Sequence, residues 1–354
     1  MLKVGIIGAG AISERHIMWY NSNKECEIKA IADLNDVQLK KRAEEFNIKN
    51  TYSNYRDLLK DEEIDAVSIV TPTFTHKEII IEALKSGKHV LCEKPPALNS
   101  EETKECVEVA NECGKLLMFG LVCRFRSQMQ YMKKYIQDGK MGKIVCAEAV
   151  RTNQCSTTKG WLLNKEKAGG GPLMDAAIHE LDSILYLMGY PKVKSVTGFT
   201  SDMNSDLPER VQGITSGYQS SDTGKVIRNV ESLAYGCIIF ENNTYLSIKT
   251  STVLNTLTPG TFFEVSGEKA GVRMELFVPE KEIELIECNE YNYLQKTVPM
   301  IDNVNMFEAE INHFVDCVVN SAECIVKTDE GIKLMQIIDA IYMSAQTGKT
   351  IYFD

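Results

Sequence analysis

The chain has 354 residues, 44% of them hydrophobic and 25% charged, which is typical of a soluble globular protein and long enough for two hydrophobic cores. Its formal net charge of −10 repels phosphate backbones, so nucleic acid is not an expected partner. No apolar stretch approaches the ~20 residues that span a bilayer, and the chain opens directly on a strand pattern that leaves no room for a signal peptide. We therefore expect a cytoplasmic protein with no membrane partner.

Short apolar strands alternate with longer helical patterns over the first 120 residues. The strands are predicted at residues 4–7, 28–32, 66–70, 89–92 and 116–119. The helices are predicted at residues 12–20, 37–46, 76–86 and 101–113. Strands that alternate with helices require right-handed crossovers, so this part of the chain predicts an α/β fold with a doubly wound parallel sheet.

The pattern changes after residue 120. A helix at 129–137 and a strand at 143–149 precede a glycine-rich turn, which opens a helix that runs to about residue 188. Successive strands follow, at residues 193–200, 226–240, 244–252, 261–267, 271–276 and 281–287. The chain closes with helices at 307–319 and 331–346, and the polar stretch 201–225 is expected to be a long loop. These patterns predict a domain over 1–120 and a second α/β domain over 121–354 with a large, mostly antiparallel sheet.

The cysteines and histidines do not indicate a metal or a disulfide framework. The eleven cysteines form an odd set without C-x-x-C spacing, which favours free thiols. The five histidines show no zinc-ligand motif, so no structural metal is expected.

A glycine-rich turn directly follows the first strand and opens the first helix. It consists of Gly8, Ala9, Gly10, Ala11, Ile12 and Ser13. Gly8 permits a tight turn, and Gly10 allows the backbone to approach a pyrophosphate at the helix N-terminus. Asp33 ends the second strand, where an acidic side chain accepts hydrogen bonds from the ribose 2′-hydroxyl. No Arg follows it closely to receive a 2′-phosphate, so the turn predicts NAD rather than NADP as the cofactor.

Polar residues follow the next strands along the chain. The candidates for the cofactor crevice are Thr71, Pro72, Thr73, His76, Glu93 and Lys94. Ligands of open α/β sheets bind beyond the carboxyl ends of the strands, so Lys94 is expected to point toward a nicotinamide. The alternative for Lys94 is an ordinary solvated surface charge.

Asp175 and His179 follow the Gly-Gly-Gly-Pro turn and are four residues apart, which places them on one helix face. A histidine beside a carboxylate can act as a general base, with its charge and tautomer set by that neighbour. The alternative is a partly buried histidine that makes a structural hydrogen bond.

These motifs, in this order, resemble the glucose–fructose oxidoreductase and inositol dehydrogenase family (Gfo/Idh/MocA). The resemblance covers nearly the whole chain and rests on the turn at residues 8–13 with His16, Thr71-Pro72 with His76, Glu93-Lys94-Pro95, and Gly170-Gly171 with Asp175 and His179. It implies an N-terminal Rossmann domain and a C-terminal α/β domain whose open sheet carries helices on one face. The other face commonly forms a homo-oligomer interface, so a dimer or tetramer is expected.

The resemblance also implies roles for individual residues. Lys94, Asp175 and His179 would lie near the reacting carbon, and Arg124 and Trp161 occupy segments that approach cofactor or substrate in similar proteins. One departure is Cys123, which stands before Arg124 where relatives often carry Asn or Tyr.

We therefore expect an NAD-dependent dehydrogenase that transfers a hydride between the nicotinamide and a secondary alcohol of a sugar, glycoside or cyclitol. No Arg cluster is present to clamp a diphosphate, so an uncharged polyol is favoured over a nucleotide sugar. The alternatives are redox-assisted glycoside cleavage with retained NAD, and a non-catalytic NAD or sugar sensor. A sensor would need none of Lys94, Asp175 and His179, so their joint presence favours an enzyme.

Overall fold

The structure is a computed structural model that describes residues 1–154, 160–202, 227–277, 283–288, 290–291 and 293–354. The backbone divides into two compact units. Unit 1 contains Met1–Val122 and Asn305–Met335, and unit 2 contains Cys123–Val304 and Gln336–Asp354. Residues 305–335 therefore return to fold with the N-terminal part of the chain. The sequence prediction placed this segment in the second domain, residues 121–354.

Unit 1 is built on a parallel sheet of six strands. The strands are β1 (Leu2–Ile7), β2 (Cys26–Ala32), β3 (Asn50–Tyr52), β4 (Ala66–Ile69), β5 (His89–Glu93) and β6 (Leu117–Gly120). Its helices are α1 (Ala11–Ser22), α2 (Asp36–Glu45), α3 (Tyr55–Leu59), α4 (His76–Lys85), α5 (Ser100–Cys113) and, after the return, α10 (Met306–Val319). The strand order β3-β2-β1-β4-β5-β6, with every pair parallel, confirms the doubly wound sheet.

Two short elements of unit 1 are absent from the sequence prediction. Strand β3 has no buried residue and lies at the sheet edge, where its backbone pairs with β2. Helix α3 has only five residues. Neither element is long enough to show a hydrophobic period.

Unit 2 is built on a sheet of nine strands. They are β7 (Ile144–Thr152), β8 (Val193–Ser201), β9 (Leu233–Phe240), β10 (Tyr245–Ser251), β11 (Gly260–Gly267), β12 (Ala270–Met274), β13 (Glu284–Cys288), β14 (Leu294–Thr297) and β15 (Ile351–Tyr352). The order is β14-β13-β12-β11-β7-β10-β9-β8-β15, and only the β7–β10 pair is parallel. The expectation of a mostly antiparallel sheet is confirmed.

The helices of unit 2 cover one face of this sheet. They are α6 (Ser127–Gln137), α7 (Lys165–Ala168), α8 (Pro172–Asp175), α9 (Ile178–Met188) and the second half of α11 (Thr328–Thr347). Helix α9 is buried from Ile178 to Leu187 and packs against β7 and β11. Burial alternates along β9 and β10, so Tyr235 and Tyr245 lie exposed on the opposite face, and Phe199 of β8, which pairs with Tyr235, is exposed beside them.

Several predicted boundaries differ from the structure. The strand expected at 226–240 begins at Leu233, and β14 and β15 were too short or too polar to predict. Residues 203–226, which include most of the expected polar loop, lie outside the described part of the chain. Over the ranges that the structure describes, no helix has both the length and the apolar character needed to cross a bilayer.

The return helix α10 buries an acidic side chain in unit 1. Glu310 is 0% exposed, and neither carboxylate oxygen has a hydrogen-bond partner among the described residues. The side chain lies with His16 and Glu93, all three ligating atoms being within 4.8 Å of one another. Burial, with the nearby charge of Glu93, raises the pKa of Glu310 well above its ordinary range.

We expect Glu310→Gln to stabilise the protein at alkaline pH. A carboxyl whose pKa is raised in the folded state loses stability as pH rises above its unfolded value, by up to about 1.4 kcal/mol per pH unit. Gln keeps the shape without the charge, so its advantage in unfolding free energy should be largest at pH 8 and small near pH 4.5. Urea unfolding at several pH values measures this, with Glu308→Gln on the same helix as the control. An advantage that does not change with pH would contradict the prediction.

Candidate active site

The turn after β1 requires glycine at two positions for different reasons. Gly8 has a φ of +110°, and a Cβ there would lie 2.6 Å from the carbonyl oxygen of Val70, so only glycine fits. Gly10 is the N-cap of α1, and the space that its Cβ would occupy is open. The backbone N–H groups at the start of α1 therefore face open space, an arrangement that fits a pyrophosphate.

Asp33 is fixed beside this turn by two backbone amides. Its Oδ2 accepts a hydrogen bond from Ala9 N–H at 2.6 Å, and its Oδ1 accepts one from Asn35 N–H at 2.7 Å. Each carboxylate oxygen can accept a further bond, and the side chain is half-buried. The carboxylate thus fits a ribose diol.

Arg42 of α2 also reaches the turn, a contact that the sequence did not reveal. Its Nη2 donates to the carbonyl oxygen of Gly10 at 3.3 Å, and its Nη1 pairs with Glu14 and Glu45 at 3.1 and 2.8 Å. Two carboxylates therefore balance the positive charge of this guanidinium.

His76 joins the loops that follow β4 and β5. Its ring is buried, with Nδ1 2.8 Å from the carbonyl oxygen of Pro95 and Nε2 2.9 Å from that of Thr71. Burial lowers the pKa of His76, although both carbonyl contacts oppose this shift. The imidazole links the Thr-Pro-Thr segment to the segment that carries Lys94.

Glu93 holds the backbone of Lys94. His16 Nε2 lies 3.0 Å from Glu93 Oε1, and the N–H of Lys94 donates to Glu93 Oε2 at 3.1 Å. Burial alone would raise the pKa of Glu93, but the hydrogen bond and charge of His16 and the charge of Lys94 hold it below its ordinary range. Glu93 is thus an ionised, buried support for the half-exposed Lys94.

The sequence suggested that Asp175 and His179 lie on one continuous helix, but in the structure they lie on two helices. Asp175 ends α8 and His179 lies in the first turn of α9, and Ala176 and Ala177 separate the two helices. The N–H of Ala177 donates to the carbonyl oxygen of Pro172, five residues back, at 2.8 Å. This wide, π-type turn is frequent at functional sites.

The half-buried carboxylate of Glu231 supports the start of α8. Glu231 Oε2 accepts from Gly171 N–H at 2.8 Å, and its Oε1 accepts from Leu173 N–H at 3.2 Å and from the hydroxyl of Tyr342 at 2.9 Å. A Cβ on Gly170 would lie 2.0 Å from the Tyr342 hydroxyl, and one on Gly171 would lie 2.1 Å from the Glu231 carbonyl oxygen. The paired glycines are the only local sign of this support in the sequence.

Arg124 and Trp161 both belong to unit 2. Arg124 is fully buried, and its guanidinium donates to Asp182 at 2.6 and 3.0 Å and to the Tyr190 hydroxyl at 2.9 Å. These partners give Arg124 the role of anchoring α9, while its approach to cofactor or substrate stays a prediction. Trp161 is half-buried in the 3₁₀ turn Gly160–Leu163.

The described part of unit 1 contains two clusters of potential metal ligands that the sequence spacing did not reveal. One is the buried group of His16, Glu93 and Glu310, and the other is the half-buried group of His313, Cys317 and Cys324. In the second, His313 Nε2 already accepts a hydrogen bond from the N–H of Ile325 at 3.1 Å. The first cluster shares Glu93 with the support of Lys94, and the second contains none of the candidate site residues.

The fold and these contacts define a class of protein. The Rossmann unit carries a glycine-rich turn and Asp33, a carboxylate that fits a ribose diol. The chain continues into an α/β unit in which Asp175 ends α8 and His179 lies at the start of α9. This combination is typical of nicotinamide-dependent oxidoreductases.

The comparisons identify the family. Residues 2–121 match the oxidoreductase family with an NAD-binding Rossmann fold (GFO_IDH_MocA), and residues 133–353 match its C-terminal alpha/beta domain. The chain therefore belongs to the Gfo/Idh/MocA oxidoreductase family, as the sequence motifs suggested.

Individual relatives cover most or all of the chain. It is 31% identical to D-glucoside 3-dehydrogenase of Escherichia coli (strain K12), over 99% of this chain and 97% of that protein. It is 25% identical to 2,7-anhydro-N-acetylneuraminate hydratase of the same organism, over 78% of this chain and 68% of the relative. A solved structure of levoglucosan dehydrogenase, in complex with NADH and levoglucosan, shares the fold with a TM-score of 0.85 and 22% identity over 99% of each chain.

Replacing Glu231 should disturb the start of α8 and, through it, Asp175 and His179. Gln in place of Glu231 would present an N–H₂ group to one of the two backbone N–H donors, so one of them would lose its acceptor. We expect a loss of about 1–3 kcal/mol in unfolding free energy and at least a tenfold lower turnover rate in the protein that remains folded.

Chemical unfolding and turnover per folded molecule measure these two effects. Glu27→Gln, an exposed site on β2, is the matched control and should change neither. Unchanged turnover in folded Glu231→Gln protein would show that Glu231 serves stability alone.

Proposed function

We propose that this protein is an NAD-dependent dehydrogenase that oxidises a secondary alcohol of an uncharged sugar, glycoside or cyclitol, or reduces the corresponding ketone. The observation that carries the proposal is the presence, in one chain, of a turn built for a dinucleotide and of His179 at the supported start of a buried helix. The full-length similarity to a D-glucoside 3-dehydrogenase supports the substrate class.

The residues of unit 1 fit NAD, which accepts and returns the hydride when it is bound. The backbone of Gly8, Ala9, Gly10, Ala11 and Ile12 would hold the pyrophosphate, and Asp33 would bind the ribose hydroxyls. Thr71, Pro72 and Thr73 follow β4, at the carboxyl ends of the strands, where a nicotinamide binds in this fold. His76 and Glu93 fix the two loops from behind.

Three side chains would carry the proton and charge transfers. His179 takes the proton of the substrate hydroxyl, and Asp175 orients the imidazole and balances its charge. The ammonium group of Lys94 stabilises the oxygen as it becomes negative, so its contribution is largest in the transition state. In this proposal residues 1–120 bind the cofactor, and residues 121–354 supply the substrate site, with Trp161 and Arg124 in its segments.

A second candidate is redox-assisted cleavage, in which oxidation acidifies a neighbouring C–H and the cofactor is regenerated within one turnover. The similarity to a hydratase of an anhydro sugar acid favours keeping this candidate. The stoichiometry decides between them, because a dehydrogenase forms one NADH per product and the redox-assisted reaction accumulates none.

Two further statements belong to this proposal. We place the protein in the cytoplasm, and we infer a homo-oligomer, dimer or tetramer, formed through the exposed face of the nine-stranded sheet. Exposed aromatic side chains on that face, among them Phe199, Tyr235 and Tyr245, support this interface. Light scattering of the purified protein gives the mass that tests it.

Asp33 should make the protein prefer NAD. Its charged hydrogen bonds to ribose are worth roughly 1.5–3 kcal/mol, and the same charge repels a 2′-phosphate. Calorimetry should show NAD binding at least tenfold tighter than NADP, with the gap narrowed in Asp33→Ala. Asp33→Asn keeps an acceptor for the turn, and the exposed Asp36→Ala controls for charge at a distance. Equal affinity of the parent protein for both cofactors would refute the preference.

His179→Ala and Lys94→Ala should each lower turnover by ~10²–10⁴, the usual contribution of general acid–base and charge stabilisation, while NAD affinity hardly changes. Oxidation by the parent should increase with pH across the range of about 5 to 8 in which histidines titrate. A panel of sugars, glycosides and cyclitols, followed by NADH absorbance, measures turnover.

His89→Gln and Lys85→Ala provide controls outside the proposed mechanism. Full turnover in folded, NAD-loaded His179→Ala or Lys94→Ala would remove that residue from the mechanism. Turnover confined to a nucleotide sugar would refute the substrate class, and no turnover on any polyol would favour the sensor.

A further inference from the structure

Cys123 contacts the proposed base. Its sulfur lies 3.6 Å from Nδ1 of His179. Cys123 is 1% exposed and His179 is 8% exposed, so the contact is shielded from bulk water. Because the sulfur lies at Nδ1, the other ring nitrogen, Nε2, is on the far side of the imidazole.

The thiol of Cys123 remains neutral in this setting. Burial raises its pKa well above the ordinary value, and the charged groups around it are Glu180, Arg126, Asp182 and Arg151. A neutral thiol is both a weak donor and a weak acceptor. It can therefore accept the Nδ1–H of a neutral imidazole and keep that bond when the ring becomes protonated.

A second contact restrains the same ring. Phe277 meets His179 edge to face, with ring centroids 5.0 Å apart and planes at 74°. Phe277 has a φ of +63°, a strained conformation for a bulky residue that surrounding structure must enforce. The guanidinium of Arg151 lies 5.0 Å from the centre of the Phe277 ring and pairs with Glu180 at 3.0 Å. The sulfur of Cys123 and the ring of Phe277 thus both contact the imidazole of His179.

We propose that Cys123 is a positioning residue for His179, which keeps the hydrogen on Nδ1 so that the lone pair of Nε2 receives the substrate proton. This inference rests on the proposed function, because it assigns the atom of His179 that acts as the base.

Nuclear magnetic resonance of the histidine nitrogens tests the proposal without any substrate. The chain has five histidines, so ¹⁵N-histidine labelling gives five pairs of resonances, and His179→Gln identifies the pair of interest. We expect neutral His179 to show a protonated Nδ1 and an unprotonated Nε2. Cys123→Ala should move the ring toward the other tautomer, and Cys123→Ser, which keeps a donor and acceptor, should restore part of the parent pattern.

Turnover provides the second measurement. Cys123→Ala should lower kcat about tenfold and change its pH profile, while KM for NAD stays within twofold of the parent value. Cys123→Ser should recover part of the rate. Cys106→Ala, which removes a buried sulfur from α5 in unit 1, is the control for cavity formation and should affect the melting temperature alone.

The outcomes separate this inference from the proposed function. A parent His179 with hydrogen on Nε2, or Cys123→Ala spectra and pH profile identical to the parent, would overturn the role of Cys123 and leave the dehydrogenase proposal intact. A parent without turnover on any polyol would refute the proposed function and, with it, a catalytic use for Nε2. The nitrogen spectra would still decide whether Cys123 sets the tautomer.

Discussion

The proposed active site depends on one half-buried carboxylate, that of Glu231. It accepts hydrogen bonds from Gly171 and Leu173 and from the Tyr342 hydroxyl, and so fixes the turn from which α8 and α9 begin. Burial raises the pKa of Glu231, and the two backbone donors and the phenol oppose that shift. A carboxylate with three donors is a stiff support, since removing it would leave buried N–H groups unpaired. The position of His179 follows from this support.

Unit 1 uses the same physical device for a different residue. Glu93, paired with His16, accepts a hydrogen bond from the N–H of Lys94. His76 contacts one carbonyl oxygen in the loop after β4 and one in the loop after β5. In each unit an ionisable side chain behind the site holds the backbone in front of it. The proposed reactive side chains stand on or beside segments whose backbone is held by these hydrogen bonds, which is the preorganisation that catalysis requires.

The charges of the chain are arranged consistently with an uncharged substrate. The net charge is −10, and three arginines are already matched with acids: Arg124 with Asp182, Arg151 with Glu180, and Arg42 with Glu14 and Glu45. A substrate phosphate would have to compete with those carboxylates. Hydroxyl groups make no such demand.

The sequence by itself determined the features that depend on local chemistry. Alternation of strands and helices predicted the parallel sheet. The roles of Gly8 and Asp33 could be predicted because a tight turn and the end of the second strand need those residue types whatever surrounds them. Only the tertiary structure decided the supports, because they join distant residues: Glu231 and Gly171 are 60 positions apart, and Tyr342 and Glu231 are 111 apart. The break between α8 and α9, the return of residues 305–335 to unit 1 and the contact of Cys123 with His179 were decided in the same way. Each depends on packing between elements, and a local period in the sequence carries no information about which elements meet.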